Sequence, residues 1–411
     1  MSLSRADLEA LDAADPLAPL RERFVLPDGV IYLDGNSLGA LPRATAGRIA
    51  EVIGTEWGRD LITSWNKAGW IDLPQRVGDK IGRLVGAAPG QTVVADSTSV
   101  NVFKLLAAAL AMRPDRRVIV SDTANFPTDL YIAQGLAALL GRGHTLRLAE
   151  PDAVEAAIGP DTAVVMLTQV DYRSGLIHDM ARITRAAHAA GALVLWDLAH
   201  SAGVLPVGLD ACGADLAVGC GYKYLNGGPG APAFAYVAAR HQAVARQPLT
   251  GWMGHAAPFA FDLDYRPAAD IRAQLCGTPA VLAVAALEVG VDLALAADMA
   301  AVRAKSMRLT EAFREAVETL CPGQFTLASP RDPEIRGSQI CLRHPSGYAI
   351  VQALIERGVV GDFRAPDILR FGMAPLYLRH AEMWDAAAIL AEVMHDGTWQ
   401  APRFSERSKV T

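Results

Sequence analysis

The chain has 411 residues, of which 51% are hydrophobic and 20% charged, and its formal net charge is -6 at pH 7. A length prior of ~150 residues per domain predicts two or three domains, and the composition excludes a disordered chain. No basic block stands out and no apolar run is long enough to span a bilayer, so nucleic acid and membrane are not expected partners.

Residues 1–30 are expected to form an N-terminal helical segment. Met1 to Pro16 mixes Arg5 with Asp7, Glu9, Asp12 and Asp15 and lacks the charged-then-apolar layout of a secretory signal. From about 91 to 240, short β-rich runs alternate with helical ones. Strands are predicted at Gln91–Ala95, Arg117–Ser121, His144–Ala149, Thr162–Val170, Ala192–Trp196 and Asp215–Gly219. Helices are predicted at Val100–Met112, Pro127–Leu140, Asp152–Ile158 and Met180–Ala190. This alternation predicts an α/β fold with a mostly parallel central sheet, whose largely apolar strands are covered on both faces. The large domain is placed at 31–275.

The texture changes after about residue 275. Two alanine-rich helices, Ala280–Leu295 and Asp298–Leu320, precede a strand at Ser338–Arg343 and a helix near Tyr348–Arg357. A strand at Asp367–Phe371 and a last helix after Arg379 follow. This predicts a smaller α+β domain at 276–411, ending in a frayed polar tail from Ala401. Five cysteines, Cys212, Cys220, Cys276, Cys321 and Cys341, are widely spaced with no CxxC, which predicts a reduced, cytoplasmic protein.

Two isolated charges carry the chemistry. Lys223 is the only charged side chain between Asp215 and Arg240. Most lysines are solvated, but an ammonium among glycines, aromatics and apolar residues is desolvated, which lowers its pKa and frees it as a nucleophile. Asp197 is the only formal charge between Arg185 and Asp210 and ends an apolar strand, the edge where open α/β sheets bind ligands. A strand-end aspartate is often a helix cap. A buried carboxylate nevertheless needs a partner, and a pyridinium nitrogen supplies one. Together the two residues predict pyridoxal phosphate (PLP), held as a Schiff base on Lys223 with Asp197 keeping its ring protonated.

Thr98 and Ser99 open a helix, where they serve either as caps or, with free N–H groups, as an anion site for a phosphate. Phe126, in the loop Asn125-Phe126-Pro127-Thr128-Asp129, either fills the core or stacks on a flat ring. His200 reads first as a structural histidine. No HExxH or paired Cys/His spacing occurs, so no metal is expected, and no GxGxxG follows a strand.

At these residues the sequence resembles the kynureninase family, fold-type-I PLP hydrolases with an aspartate aminotransferase-like fold. The likeness begins at Tyr32-Leu33-Asp34-Gly35-Asn36-Ser37-Leu38-Gly39 and Thr98-Ser99-Val100-Asn101. It continues through Phe126-Pro127-Thr128-Asp129, Asp197-Leu198-Ala199-His200 and Tyr222-Lys223-Tyr224-Leu225-Asn226. Gly251-Trp252, Arg370-Phe371-Gly372 and Pro375-Leu376-Tyr377 complete it.

The resemblance implies hydrolysis of L-kynurenine to anthranilate and L-alanine, within tryptophan catabolism and NAD biosynthesis. Lys223, Asp197 and Tyr222 would be catalytic. Thr98, Ser99 and Tyr222 would contact the cofactor phosphate, Phe126, Pro127, Thr128 and Asp129 would line the ring, and Thr168 and His200 would help hold it. Trp252 and Thr278 would reach a phosphate across a subunit boundary, implying a homodimer with shared sites. Arg370 would clamp the substrate carboxylate with its bidentate fork, and Trp65 would pack on the aryl ring. Threonine stands at 278 where eukaryotic members carry asparagine. General likeness to bacterial members favours the unhydroxylated substrate. The rival readings are a cysteine desulfurase, a small-substrate aminotransferase, or a catalytically inactive binding protein on the same fold.

Overall fold

The apolar runs between residues 91 and 240 form a seven-stranded sheet in the computed structural model, which describes residues 4–407. Its strands are β1 (Thr92–Val94), β2 (Val118–Asp122), β3 (Thr145–Ala149), β4 (Thr162–Thr168), β5 (Leu193–Asp197), β6 (Leu216–Gly219) and β7 (Phe234–Val237). Their order is β1-β7-β6-β5-β4-β2-β3. Neighbours from β6 to β3 are parallel, while β7 runs antiparallel to both β6 and β1. Every residue of β4 and β5 is buried, as a sheet covered on both faces requires.

The sheet belongs to one of two compact units, formed by residues 44–171 and 178–295. Its helices are α1 (Leu73–Val85), α2 (Thr98–Ala111), α3 (Pro127–Leu140), α4 (Met180–Ala189) and α5 (Val281–Leu295). Helix α1 buries Leu73, Val77, Ile81, Leu84 and Val85, the 3.6-residue spacing of a core-facing stripe. At Gly78 it presses directly on β1, where a Cβ would stand 2.3 Å from the Thr92 carbonyl oxygen. Helix α4 starts where the Asp179 carboxylate accepts the Arg182 N–H at 2.9 Å, a cap worth ~1 kcal/mol.

The second unit joins residues 1–43, 172–177 and 296–411. Its sheet contains β8 (Thr326–Leu327), β9 (Gln339–Arg343), β10 (Asp362–Arg364) and β11 (Ile368–Gly372), in the antiparallel order β8-β9-β11-β10. Helices α6 (Met299–Leu320), α7 (Gly347–Glu356) and α8 (Ala381–His395) belong to the same unit. The N-terminal helix Arg5–Ala13 belongs here too, where Asp12 accepts the Ala381 N–H at the start of α8. Residues 31–32 pair in parallel with 359–360, and Asp34 bridges to Gly372.

Two expectations change. The run Phe234–Val237 was not among the predicted strands, yet it is fully buried as β7. The expected frayed tail is ordered at Pro402–Phe404, a 3-10 turn that buries Phe404 and pairs Arg403 with Glu356; residues 408–411 lie outside the described residues. No helix is long and apolar enough to cross a membrane among the described residues.

Candidate active site

Strands β4 and β5 end side by side, with Thr168 and Asp197 as register partners at their C-terminal edge. Asp197 is buried, and its carboxylate accepts the Ala199 N–H at 2.7 Å. Burial raises its pKa, opposed by the Lys223 charge and by that hydrogen bond. Lys223 lies in the turn after β6, its Nζ 2.9 Å from His200 Nε2 and 5.9 Å from the centre of the Tyr222 ring. Burial raises the Tyr222 pKa and keeps its hydroxyl protonated.

A second carboxyl, Asp129, sits beside Asp197. It is buried in the first turn of α3, with one oxygen lacking a hydrogen-bond donor. Burial first, and then the Asp197 carboxylate, push its pKa well up. Pro127 occupies the first turn of α3, where its missing N–H costs nothing, and Phe126 precedes it half exposed. Thr128 follows within that turn.

Asn125 organises this corner from beneath. Its Oδ1 accepts the Phe126 N–H at 2.7 Å and the Thr168 hydroxyl, while its Nδ2 donates to Ser121 Oγ at 2.9 Å.

The helix that Thr98 and Ser99 were expected to cap is capped by Ser97, whose hydroxyl accepts the Val100 N–H. Thr98 and Ser99 are therefore its first helical residues, and Thr98 Oγ1 is buried without a partner. An orphaned hydroxyl beside the free N–H groups of a 14-residue helix fits a phosphate. An amine for an aldehyde, a buried carboxylate for a pyridine nitrogen and this cradle together fit PLP.

Trp65 and Trp252 come together, rings 6.3 Å apart, in a cavity of about 820 Å³ lined also by Ile62, Asn66, Ile71, Phe259 and Phe261. Thr278 instead lines a cavity of about 410 Å³ with Asp96, Ser97 and Cys276. Behind it lies Lys104, fully buried in α2, which donates to Asp96 at 2.6 Å and to the Gln274 carbonyl at 2.7 Å. Lys104 is the only formal charge in its helix, so the reasoning that singles out Lys223 would have found it as well. Here the isolated ammonium marks a structural ion pair.

Arg370 belongs to the other unit, on β11. It donates from Nε to Asp362 at 2.8 Å, from Nη2 to Asp362 and to Ser37 at 2.7 Å, and from Nη1 to the Tyr172 carbonyl at 2.9 Å. Asp362, Ser37 and the adjacent Arg364 were not among the expected site residues.

The chain is 53% identical to a kynureninase of Burkholderia pseudomallei, covering 99% of this chain and all of that one. It is 52% identical, with the same coverage, to a kynureninase of Pseudomonas fluorescens. The chain belongs to the kynureninase family. The family's C-terminal domain model matches residues 302–390, and a model of Cys/Met metabolism PLP-dependent enzymes matches residues 75–242. The cofactor is pyridoxal phosphate, and the expected fold-type-I architecture holds. A cysteine desulfurase from Thermococcus onnurineus superposes with TM-score 0.77 at 17% identity, covering 92% of this chain and 97% of its own. One from Escherichia coli does so with TM-score 0.75 at 19%, covering 93% and 98%. At those identities the likeness concerns the fold alone.

Proposed function

We propose that this member of the kynureninase family hydrolyses L-kynurenine to anthranilate and L-alanine. The observation that carries the reading is the Lys223 amine, 2.9 Å from His200 and under the field of buried Asp197, in a chain 53% identical throughout to a kynureninase. When bound, PLP supplies an electron sink for the bonds around the substrate α-carbon.

Lys223 would take the α-proton, and Asp197, through its buried carboxylate, would keep the ring nitrogen protonated. Beside it, burial and the Asp197 charge push the pKa of Asp129 well up. Tyr222, kept protonated by burial, would donate to the β-carbon that becomes the methyl group of alanine. Water would add to the γ-carbonyl, and the hydrate would give up a proton as the Cβ–Cγ bond breaks, its electron pair going to the β-carbon; that proton would recharge Tyr222, and Lys223 would return its proton to the α-carbon of the departing alanine. Thr98, Ser99 and Tyr222 would take the phosphate, Phe126, Pro127, Thr128 and Asp129 would line the ring, and Thr168 and His200 would help hold it. Arg370 serves the substrate carboxylate, and Trp65 serves the aryl ring.

Trp252 and Thr278 are read as contacts to a partner's phosphate, in a homodimer with shared sites. The free state of all five cysteines supports a cytoplasmic setting. Burial pushes the Cys276 thiol up, the opposite of what a desulfurase nucleophile requires. Incubation of the protein with PLP and L-kynurenine should release anthranilate and alanine in equal amounts. Sulfide from cysteine, with no anthranilate, would reverse the assignment.

A further inference from the structure

The hydrogen positions around Asn125 are fixed by its backbone partners. A backbone N–H only donates and a backbone carbonyl only accepts. The Phe126 N–H, 2.7 Å away, therefore identifies one side of the amide as Oδ1, and the Met166 carbonyl, 3.3 Å away, identifies the other as Nδ2. Oδ1 has no hydrogen to give, so the Thr168 hydroxyl bonded to it is the donor. On the opposite side Nδ2 also donates to Ser121 Oγ at 2.9 Å, and Ser121 gives its own hydrogen to the Met166 carbonyl at 2.7 Å. Thr168 has then spent its single hydroxyl hydrogen, and its oxygen can act towards the site only as an acceptor.

We propose that Asn125 is a positioning residue of the cofactor site: it locks the Thr168 hydroxyl as a hydrogen-bond acceptor and pins the backbone at Phe126, where the ring-lining segment begins. The inference rests on the reading that Thr168 and Phe126 meet the cofactor. One side chain here ties three elements together. Ser121 belongs to β2, Met166 and Thr168 belong to β4, and Phe126 precedes the first turn of α3. Asn125, Ser121 and Thr168 are all buried, so bulk water does not replace a partner lost from this network. A threonine hydroxyl otherwise rotates to suit its surroundings, offering a hydrogen or a lone pair. Asn125 removes that choice. Thr168 is also the register partner of Asp197, so the locked hydroxyl lies on the strand next to the carboxylate assigned to the ring nitrogen.

The test is a double-mutant cycle on the PLP-loaded enzyme, with N125A, T168V, the N125A/T168V double variant, and S121A as a control. Cofactor affinity and the position of the visible cofactor band are followed beside Tm. N125A and T168V should each weaken PLP binding ~10-fold and move the band, and adding T168V to N125A should cost no more than about twofold further. S121A leaves the acceptor side of the amide intact, so it should lower Tm with affinity and band unchanged. Losses that multiply to ~100-fold in the double variant overturn the proposal, because Asn125 would then act independently of Thr168. So does an equal loss in S121A, which would mark the amide as a structural tie. If T168V is impaired and N125A is not, Thr168 stands and the role of Asn125 falls; if neither is impaired, the reading of Thr168 as a cofactor residue falls too. Should N125A fail to fold, N125D decides, since it keeps an oxygen for both Phe126 and Thr168. Retained affinity and band in N125D support the assignment, and their loss in the folded variant overturns it.

Discussion

Lys223 Nζ and His200 Nε2 lie 2.9 Å apart, joining the turn after β6 to the turn after β5. The histidine orients the amine, and the amine's charge reaches the buried Asp197. Lys223→Ala should abolish the visible band of lysine-bound PLP and lower turnover at least ~100-fold, the contribution of a positioned base. His200→Ala should keep the band but weaken cofactor retention ~10-fold, about one charged hydrogen bond. Dialysis against PLP-free buffer reads both, and a persistent band in the lysine variant would refute the scheme.

The Lys104–Asp96 pair predicts an asymmetry. Asp96→Ala strands a fully buried ammonium on the Gln274 carbonyl alone and should cost ~3–5 kcal/mol. Lys104→Met fills the same space with an apolar chain and leaves behind an aspartate whose side chain is 34% exposed. Its cost should be clearly smaller. Urea melts of the two variants would show equal losses if the ammonium were not the buried partner.

Gly290 of α5 backs onto the turn that follows Lys223. A Cβ there would stand 2.1 Å from the Leu225 carbonyl oxygen and 2.8 Å from backbone atoms of Asn226. Asn226 already adopts a left-handed φ of 53°. Gly290→Ala should cost ~1–3 kcal/mol by overpacking and displace the amine. The measurable result is a lower Tm with slower PLP incorporation. Normal incorporation would separate the helix from the site.

Asp34 gives a pH signature. Burial first, and then the Asp362 carboxylate, raise its pKa to about 7, while Arg370, Ser37 and Arg364 pull the other way and Tyr32 lies beside it. The folded chain therefore binds this proton more tightly than the unfolded one. Its stabilising contribution is complete below the ordinary carboxylate value of ~4 and is lost as pH rises through about 7. In Asp34→Asn, Tm should vary less across that window than in wild type. An unchanged slope would place the titration elsewhere.

Much of the site was legible because its logic is local. One amine and one carboxylate stand alone in apolar sequence, each just past a buried strand, and desolvation makes such groups reactive wherever the chain then goes. Helix α3 was read with its observed bounds, Pro127–Leu140, because proline opens it and glycine closes it. The role of Ser97 was missed because three consecutive hydroxyl residues, Ser97, Thr98 and Ser99, can each cap a helix, and only the backbone turn selects one.

The sequence by itself determined the alternating α/β architecture through its periodicity and the family through its motifs, and it singled out Lys223 and Asp197 as isolated charges, since all of these are properties of short segments. Tertiary structure alone decided that β7 inserts antiparallel between β6 and β1. It also decided that Ser37 meets Arg370 across 333 residues of chain and that Asp362 occupies the arginine's fork. Such pairings are fixed by which buried polar groups must find partners once the chain has closed, and that demand is satisfied by whatever lies near in space.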